Sequence, residues 1–129
     1  MSAIREAFDA VRALALASQT HYDKIYVGAL PEADSLVMEL TAGGTSAETL
    51  DLHGDLSLDV VINCKHSSHP AAIDALAQIH YALTTTTDLP VSDDWQVLSI
   101  STSSAPRYLD YDGDQWLYGS GIDIHLWIK

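Results

Sequence analysis

The stretch from Leu56 to Leu83 constrains the fold more than any other part of the chain. Its first third has apolar residues at every second position, which is typical of a β-strand with one buried face: Leu58, Val60, Ile62 and Cys64. Its second half has apolar residues at helical spacing: Ala72, Ile73, Leu76, Ile79, His80 and Leu83. Pro70 lies between them, where a first helical turn accepts proline because its missing N–H would be unpaired. We therefore predict a strand that leads directly into an amphipathic helix.

The remaining periodicities predict one more helix and five more strands. An Ala-rich apolar stripe favours a helix over residues 2–17, with Ser2 as its N-cap. Alternating segments give six predicted strands in all: 24–27, 35–41, 56–65, 95–102, 107–110 and 115–129. The order α-β-β-β-α-β-β-β with short connections predicts an α+β fold, a mainly antiparallel sheet with two helices packed on it.

Turn residues divide these elements. Asp112-Gly113 predicts a tight hairpin, and Gly119 and Gly121 predict a bulge or bend in the last strand. Residues 42–55 have little periodicity and contain Gly43, Gly44 and Gly54, so they are expected to form a long loop or hairpin arm. With 129 residues, the whole chain is expected to be a single domain.

Charge excludes one class of function and leaves three explanations open. Eighteen acidic residues face six basic ones, for a net charge of −12. Phosphate backbones repel such a surface, so sequence-specific nucleic-acid binding is not expected. The acids can instead serve as a solvated surface, as a surface that faces DNA without holding it, or as an adaptation to high salt. No leader and no apolar run of about 18 residues is found, so we expect neither a signal peptide nor a membrane span.

No motif predicts a catalytic or metal site. The run from Asp110 to Asp114 begins like a calcium loop, but its glycine is in the wrong position, so we interpret it as a hairpin turn. His66 and His69 are too few ligands for zinc. Cys64 lies on the apolar side of its strand and is expected in the core. We therefore expect no enzyme, metal or cofactor. The alternative is a small metal- or ligand-binding regulatory domain that uses His66, His69 and His80.

Aromatic residues near the end of the chain exceed what a small core readily uses. Trp127 lies on the polar side of the last strand, and Trp116 and Tyr118 precede it. Aromatic side chains on a sheet face are typical of protein interfaces. A sheet covered by a helix on each side would explain them equally well.

Several short motifs, in their order along the chain, resemble the tail-terminator proteins of long-tailed bacteriophages, also called tail-completion or minor capsid proteins. The likeness spans residues 3–129 and lies in the element order and in these short segments: Ile25-Tyr26-Val27-Gly28-Ala29-Leu30-Pro31-Glu32, Thr41-Ala42-Gly43-Gly44, Leu50-Asp51-Leu52-His53-Gly54, and Pro106-Arg107-Tyr108-Leu109-Asp110-x-Asp112.

This resemblance implies a structural virion protein, made in the host cytoplasm and located at the head-proximal end of the tail. Such proteins form a ring, expected here to be a homo-hexamer, that stops growth of the tail tube and joins it to the head connector. The expected partners are other copies of the chain, the tail-tube protein and a head-connector or head-completion protein, with DNA only as passing cargo. An open sheet edge could join neighbouring subunits of such a ring. The residues expected at the subunit interface or the DNA-facing bore are Asp51, His53, Asp55, Asp110, Asp112, Asp114 and Trp127.

Overall fold

The computed structural model describes residues 3–27, 34–42 and 54–129. The elements in these residues are α1 (Ala3–Ala17), β1 (Ser35–Ala42), β2 (Gly54–His66), α2 (His69–Thr85), β3 (Trp95–Asp112) and β4 (Gln115–Ile128). The order is α-β-β-α-β-β. The fold is therefore α+β, as predicted.

The strands form one antiparallel sheet in the order β1-β2-β4-β3. β2 and β4 are its centre and pair along their whole length, from Gly54 opposite Ile128 to His66 opposite Trp116. Helix α2 lies against β2, β3 and β4, and α1 packs on α2 and β3. Both described helices thus cover the same face, and we call the opposite face the helix-free face.

The period-two pattern of β2 determines which side chains enter the core. Leu58, Ile62 and Cys64 are fully buried under the helices, while Asp59 between them is exposed. The core continues through the matching positions of β4 and the inner faces of both helices: Ile122, Ile124, Leu126, Phe8, Val11, Leu76, Ile79 and Leu83. The predicted core position of Cys64 is confirmed, and burial raises the pKa of its thiol to about 11.

The junction between β2 and α2 is fixed by local chemistry. Ser68 caps the helix, since its hydroxyl accepts a hydrogen bond from the Ala71 N–H at 3.4 Å. Pro70 lies in the first turn, as predicted. The Cys64 thiol donates to the Ala72 carbonyl at 3.4 Å and links the end of the strand to the start of the helix. These contacts hold the strand-to-helix unit on which the remaining elements pack.

The prediction of about six strands was wrong, because the described residues contain four. Pro106 does not end a strand, so residues predicted as two strands form the single strand β3. Proline is tolerated there because β3 is an edge strand. On the side of β3 that faces away from β4 there is no neighbouring strand to bind, so the missing N–H of proline costs no hydrogen bond of the sheet. Tyr26 makes only an isolated bridge to Val37, through hydrogen bonds to Leu36 and Met38, so residues 24–27 form no full strand.

The predicted hairpin is present between β3 and β4. Asp112 pairs with Gln115, and the two residues between them, Gly113 and Asp114, both have positive φ, at 56° and 67°. Two successive residues of this kind match the two-residue hairpin turn whose twist suits paired strands.

Gly119 and Gly121 lie inside β4, and two of the four register irregularities of β3, on either side of Ser104, occur opposite them. A Cβ on Gly121 would lie 2.6 Å from the Ser103 Oγ, and one on Gly119 would lie 2.5 Å from the Asn63 Oδ1. The neighbouring strands thus approach β4 too closely for larger residues.

Some predictions fall outside the described residues. These are the capping role of Ser2 and most of the arm predicted at residues 42–55. In the described part of the chain, neither helix has the length and apolar character needed to cross a membrane.

Candidate functional site

The helix-free face is formed by the polar side of the strand alternation. Its central residues come from β2 and β4. Gly119 and Gly121 are buried, and the others are partly exposed: Ser57, Val61, Asn63, Lys65, Leu117, Asp123 and His125. The two glycines are buried because side chains of the neighbouring strands fill the space over them: Asn63 and Leu109 over Gly119, and Ser103 over Gly121. The result is a broad surface of mostly small or polar side chains over the two central strands.

Acidic residues are spread along this face. Asp59 of β2 lies directly opposite Asp123 of β4. The Asp123 Oδ1 atom is buried and accepts no hydrogen bond from the described residues. Asp55 lies 3.7 Å from the His125 Nε2. Carboxylates in directly opposed positions repel each other.

The predicted site residues lie at two ends of the sheet. Asp55 is opposite Trp127 at one end. Asp110 is opposite Leu117 near the other end, on the same helix-free face. Ten residues of β4 separate Leu117 from Trp127, which is roughly 33 Å of extended strand. Asp55 and Asp110 therefore share a face without forming one compact site.

The other predicted residues have different positions. Asp114 is in the hairpin turn, where it accepts a hydrogen bond from the Tyr111 hydroxyl at 3.3 Å. The backbone of Asp112 ends β3. Asp51 and His53 lie outside the described residues. Trp127 is 40% exposed on the helix-free face, where no described helix covers it.

Sequence reasoning missed Asp59 and Asp123 as members of this acidic surface. Both are at polar positions of alternating strands, so their shared face was predictable. Their direct opposition depends on the antiparallel register of β2 and β4, which no local pattern in the sequence specifies.

A second feature is an aromatic cluster near the β3–β4 turn. It lies on the helix-covered side of the sheet, beside the N-terminus of α2. We call it the tip cluster, and it consists of His69, Tyr108, Tyr111, Trp116 and Tyr118. His69 stacks on Trp116 with ring centroids 4.0 Å apart and an angle of 10°. Its Nε2 is 2.5 Å from the Tyr118 hydroxyl. Tyr108 and Tyr111 complete the cluster and are 51% and 47% exposed.

The three histidines proposed for ligand binding do not converge. His66 contacts Asp34 at 3.4 Å, and its Nδ1 accepts from the Ser68 N–H. His69 belongs to the tip cluster. His80 is buried between α2 and the sheet, with its ring nitrogens 3.1 Å from the Ser120 hydroxyl and 2.7 Å from that of Thr102. Burial lowers the pKa of His80. The described residues contain no group of three or more side chains placed to hold a metal ion.

A groove of about 540 Å³ lies between α1 and β1. Phe8 and Leu40 form part of its apolar lining. The Asp9 carboxylate lies 3.9 Å from Arg5 and 3.4 Å from Arg12 at its rim. Glu39 lines the groove as well.

Together, the four-stranded sheet, the two helices on one side and the polar opposite face define an α+β domain with a large accessible sheet surface. The solved structures include a chain with this fold in the virion of a native gene transfer agent particle. That chain is 14% identical in sequence, the TM-score is 0.67, and the match covers 98% of each chain. At this identity the match shows a shared fold over the whole length. No family model and no curated protein matches the sequence.

Proposed function

We propose that this chain is a structural protein of a phage-like particle, and that it forms a ring, expected to be hexameric, at the head-proximal end of a tail. The ring would terminate the tail tube and join it to the head connector. The observation that carries the proposal is the fold shared with a chain of a gene transfer agent virion over 98% of both chains. The short motifs that resemble tail terminators support the same assignment independently of the fold.

The helix-free face supports a DNA-facing role. Asp55, Asp59, Asp110 and Asp123 share this face, against Lys65 and Arg107 at register positions of the described strands. A wall of net negative charge with small hydroxyl side chains would not hold phosphates, so DNA could pass without being bound. Because the acids extend along the strands, a bore lined by this face would have β2 and β4 running along its length.

The sheet edges limit how subunits could join. Tyr26 already occupies part of the β1 edge through backbone hydrogen bonds. The β3 edge is interrupted by Pro106 and by register irregularities. Proline and bulges oppose edge-to-edge pairing. We therefore propose that ring contacts use side-chain surfaces, among them the exposed Trp127, more than continuous strand pairing.

Assembly is tested by measuring native mass by light scattering and native mass spectrometry, with and without tail tubes of the cognate particle. The expected product on tubes is a ring of about six copies of the 14.0 kDa chain. Substitution Trp127→Ser should reduce ring formation, while Tyr81→Ser, at an aromatic exposed on α2, should leave it unchanged. A chain that stays monomeric and does not bind tube ends would refute the proposal.

The bore is tested by charge reversal. Asp55→Lys, Asp110→Lys and Asp123→Lys together should allow assembly but reduce DNA delivery by the particle, because lysines would hold the phosphates. The matched control is Asp74→Lys, Asp88→Lys and Asp93→Lys, which makes the same change in net charge at exposed positions away from this face. Equal delivery by both triple variants would rule out this face as the wall of the bore. Asp51, Asp112 and Asp114 can be added to the first set in a second step.

A further inference from the structure

The tip cluster brings five aromatic rings together beside the β3–β4 hairpin. The His69 ring at the start of α2 contacts Trp116 and Tyr118, while Tyr108 and Tyr111 both contact Trp116. Tyr108 and Tyr111 leave about half of their surface in solvent. Tyrosine and tryptophan are enriched at protein interfaces, where a rigid ring offers a large contact area at low entropic cost.

The charges around the cluster are acidic. The Asp114 carboxylate accepts a hydrogen bond from the Tyr111 hydroxyl, and the Asp110 carboxylate accepts one from the Tyr111 N–H at 2.8 Å. Asp110 and the nearest basic residue along the hairpin, Arg107, are both at register positions of the helix-free face, so Asp114 is the carboxylate that lies at the cluster itself. The Arg107 guanidinium donates to the Ser104 hydroxyl. Aromatic faces flanked by carboxylates attract cations, and guanidinium groups bind both partners best, since they stack on rings and pair with carboxylates.

We propose that the tip cluster is a docking surface for an arginine-bearing segment of another protein. An arginine side chain would stack on the exposed ring of Tyr108 or Tyr111 and pair with Asp114. A second copy of this chain is disfavoured as the occupant, because its three arginines already have partners: Arg5 and Arg12 contact Asp9, and Arg107 donates to the Ser104 hydroxyl. Nucleic acid is disfavoured because the same carboxylates repel phosphates. The surface does not depend on ring formation.

The experiment measures binding of the intact protein to three probes at 150 mM salt: a nine-residue arginine peptide, a nine-residue lysine peptide and a thymidine oligonucleotide. Affinity is measured by calorimetry and the site by NMR shift changes of backbone amides. The arginine peptide should bind about tenfold more tightly than the lysine peptide, and shifts should concentrate at residues 69 and 108–118.

Variants separate ring stacking from bulk charge. Tyr108→Ser with Tyr111→Ser should bring the arginine peptide down to the affinity of the lysine peptide. Asp114→Asn should weaken both peptides about tenfold, and Asp88→Asn, an equal change in charge elsewhere, should weaken them much less. Tyr111→Ser alone, at a half-exposed ring, provides a milder variant if the double tyrosine variant unfolds.

Four results would overturn the proposal. Equal affinities of the two peptides, weakened alike by Asp114→Asn and Asp88→Asn, would mean that net charge alone attracts them. Shift changes outside the tip cluster would place the site elsewhere. Tighter binding of the oligonucleotide than of the arginine peptide would assign the rings to nucleic-acid bases. A normal ring with no peptide binding would refute this docking surface and leave the proposed function intact.

Discussion

The two faces of the central strands are made from alternate residues of the same segments, yet they differ in almost every property. On the helix-covered face, Val60 and Ile124 are buried among aliphatic side chains under α2. One residue further along each strand, Val61 and His125 lie on the helix-free face and are only partly buried. The helix-covered face therefore holds the fold together, and the helix-free face is available for contacts.

The two faces also differ in how they accommodate polar and charged groups. The helix-covered face admits a polar group only with partners, as with His80 between Ser120 and Thr102. The helix-free face keeps Asp59 and Asp123 directly opposed. Repulsion between opposed carboxylates is a cost in stability that the helix-covered face does not carry.

The largest effect should come from the same substitution made on adjacent residues of β2. Val60→Ala removes two buried methyl groups and leaves a cavity, so it should lower the free energy of unfolding by roughly 2 kcal/mol. Val61→Ala on the helix-free face should cost about 1 kcal/mol or less, since the side chain is partly exposed. Urea denaturation monitored by circular dichroism measures both. Equal losses would mean that the two faces are packed alike.

A somewhat smaller effect is expected at the centre of the helix-free face. Gly121→Ala should destabilise the protein by about 1–2 kcal/mol, because the new Cβ would lie 2.6 Å from the Ser103 Oγ and 3.3 Å from the Ser104 Cβ. The double variant Gly121→Ala with Ser103→Ala should recover part of this loss. A double-mutant cycle in urea measures the coupling, and zero coupling would show that β3 does not press on β4 at this point.

The helix-covered face should also carry a pH dependence. Burial lowers the pKa of His80, so the unfolded chain binds the proton more readily than the folded one. Stability from this group is present above the unfolded pKa of about 6.5 and is lost as the pH falls below it. His80→Gln should therefore flatten the stability profile between pH 7 and pH 5 more than His125→Gln does. Denaturation midpoints across that range provide the measurement, and an unchanged profile in His80→Gln would contradict the expectation.

The sequence was sufficient for the elements that have strong periodicity. The alternation from Leu58 to Cys64, the helix behind Pro70 and the turn at Gly113 were all predictable, because local residue patterns determine them. The prediction that the strand ends before Pro106 was wrong, because proline is compatible with an edge strand. The edge position of β3 is a property of the tertiary structure, which local sequence does not determine. The tip cluster could not be predicted as a unit, because it joins His69 to residues about 40 or more positions later. The acidic face was visible only as separate aspartates until the register of β2 and β4 was known.

The smallest effect is expected from removing one negative charge on the helix-free face. Asp123→Asn keeps the shape of the side chain but removes the charge opposite Asp59, so it should stabilise the protein by about 0.2–1 kcal/mol. The gain should shrink as salt is raised from 10 mM to 1 M, because salt screens the repulsion. Asp88→Asn makes the same change at an exposed loop position and should shift stability less. If Asp123→Asn were instead destabilising, the Asp123 carboxylate would be making a favourable interaction, and the acidic helix-free face would have to be explained by stability after all.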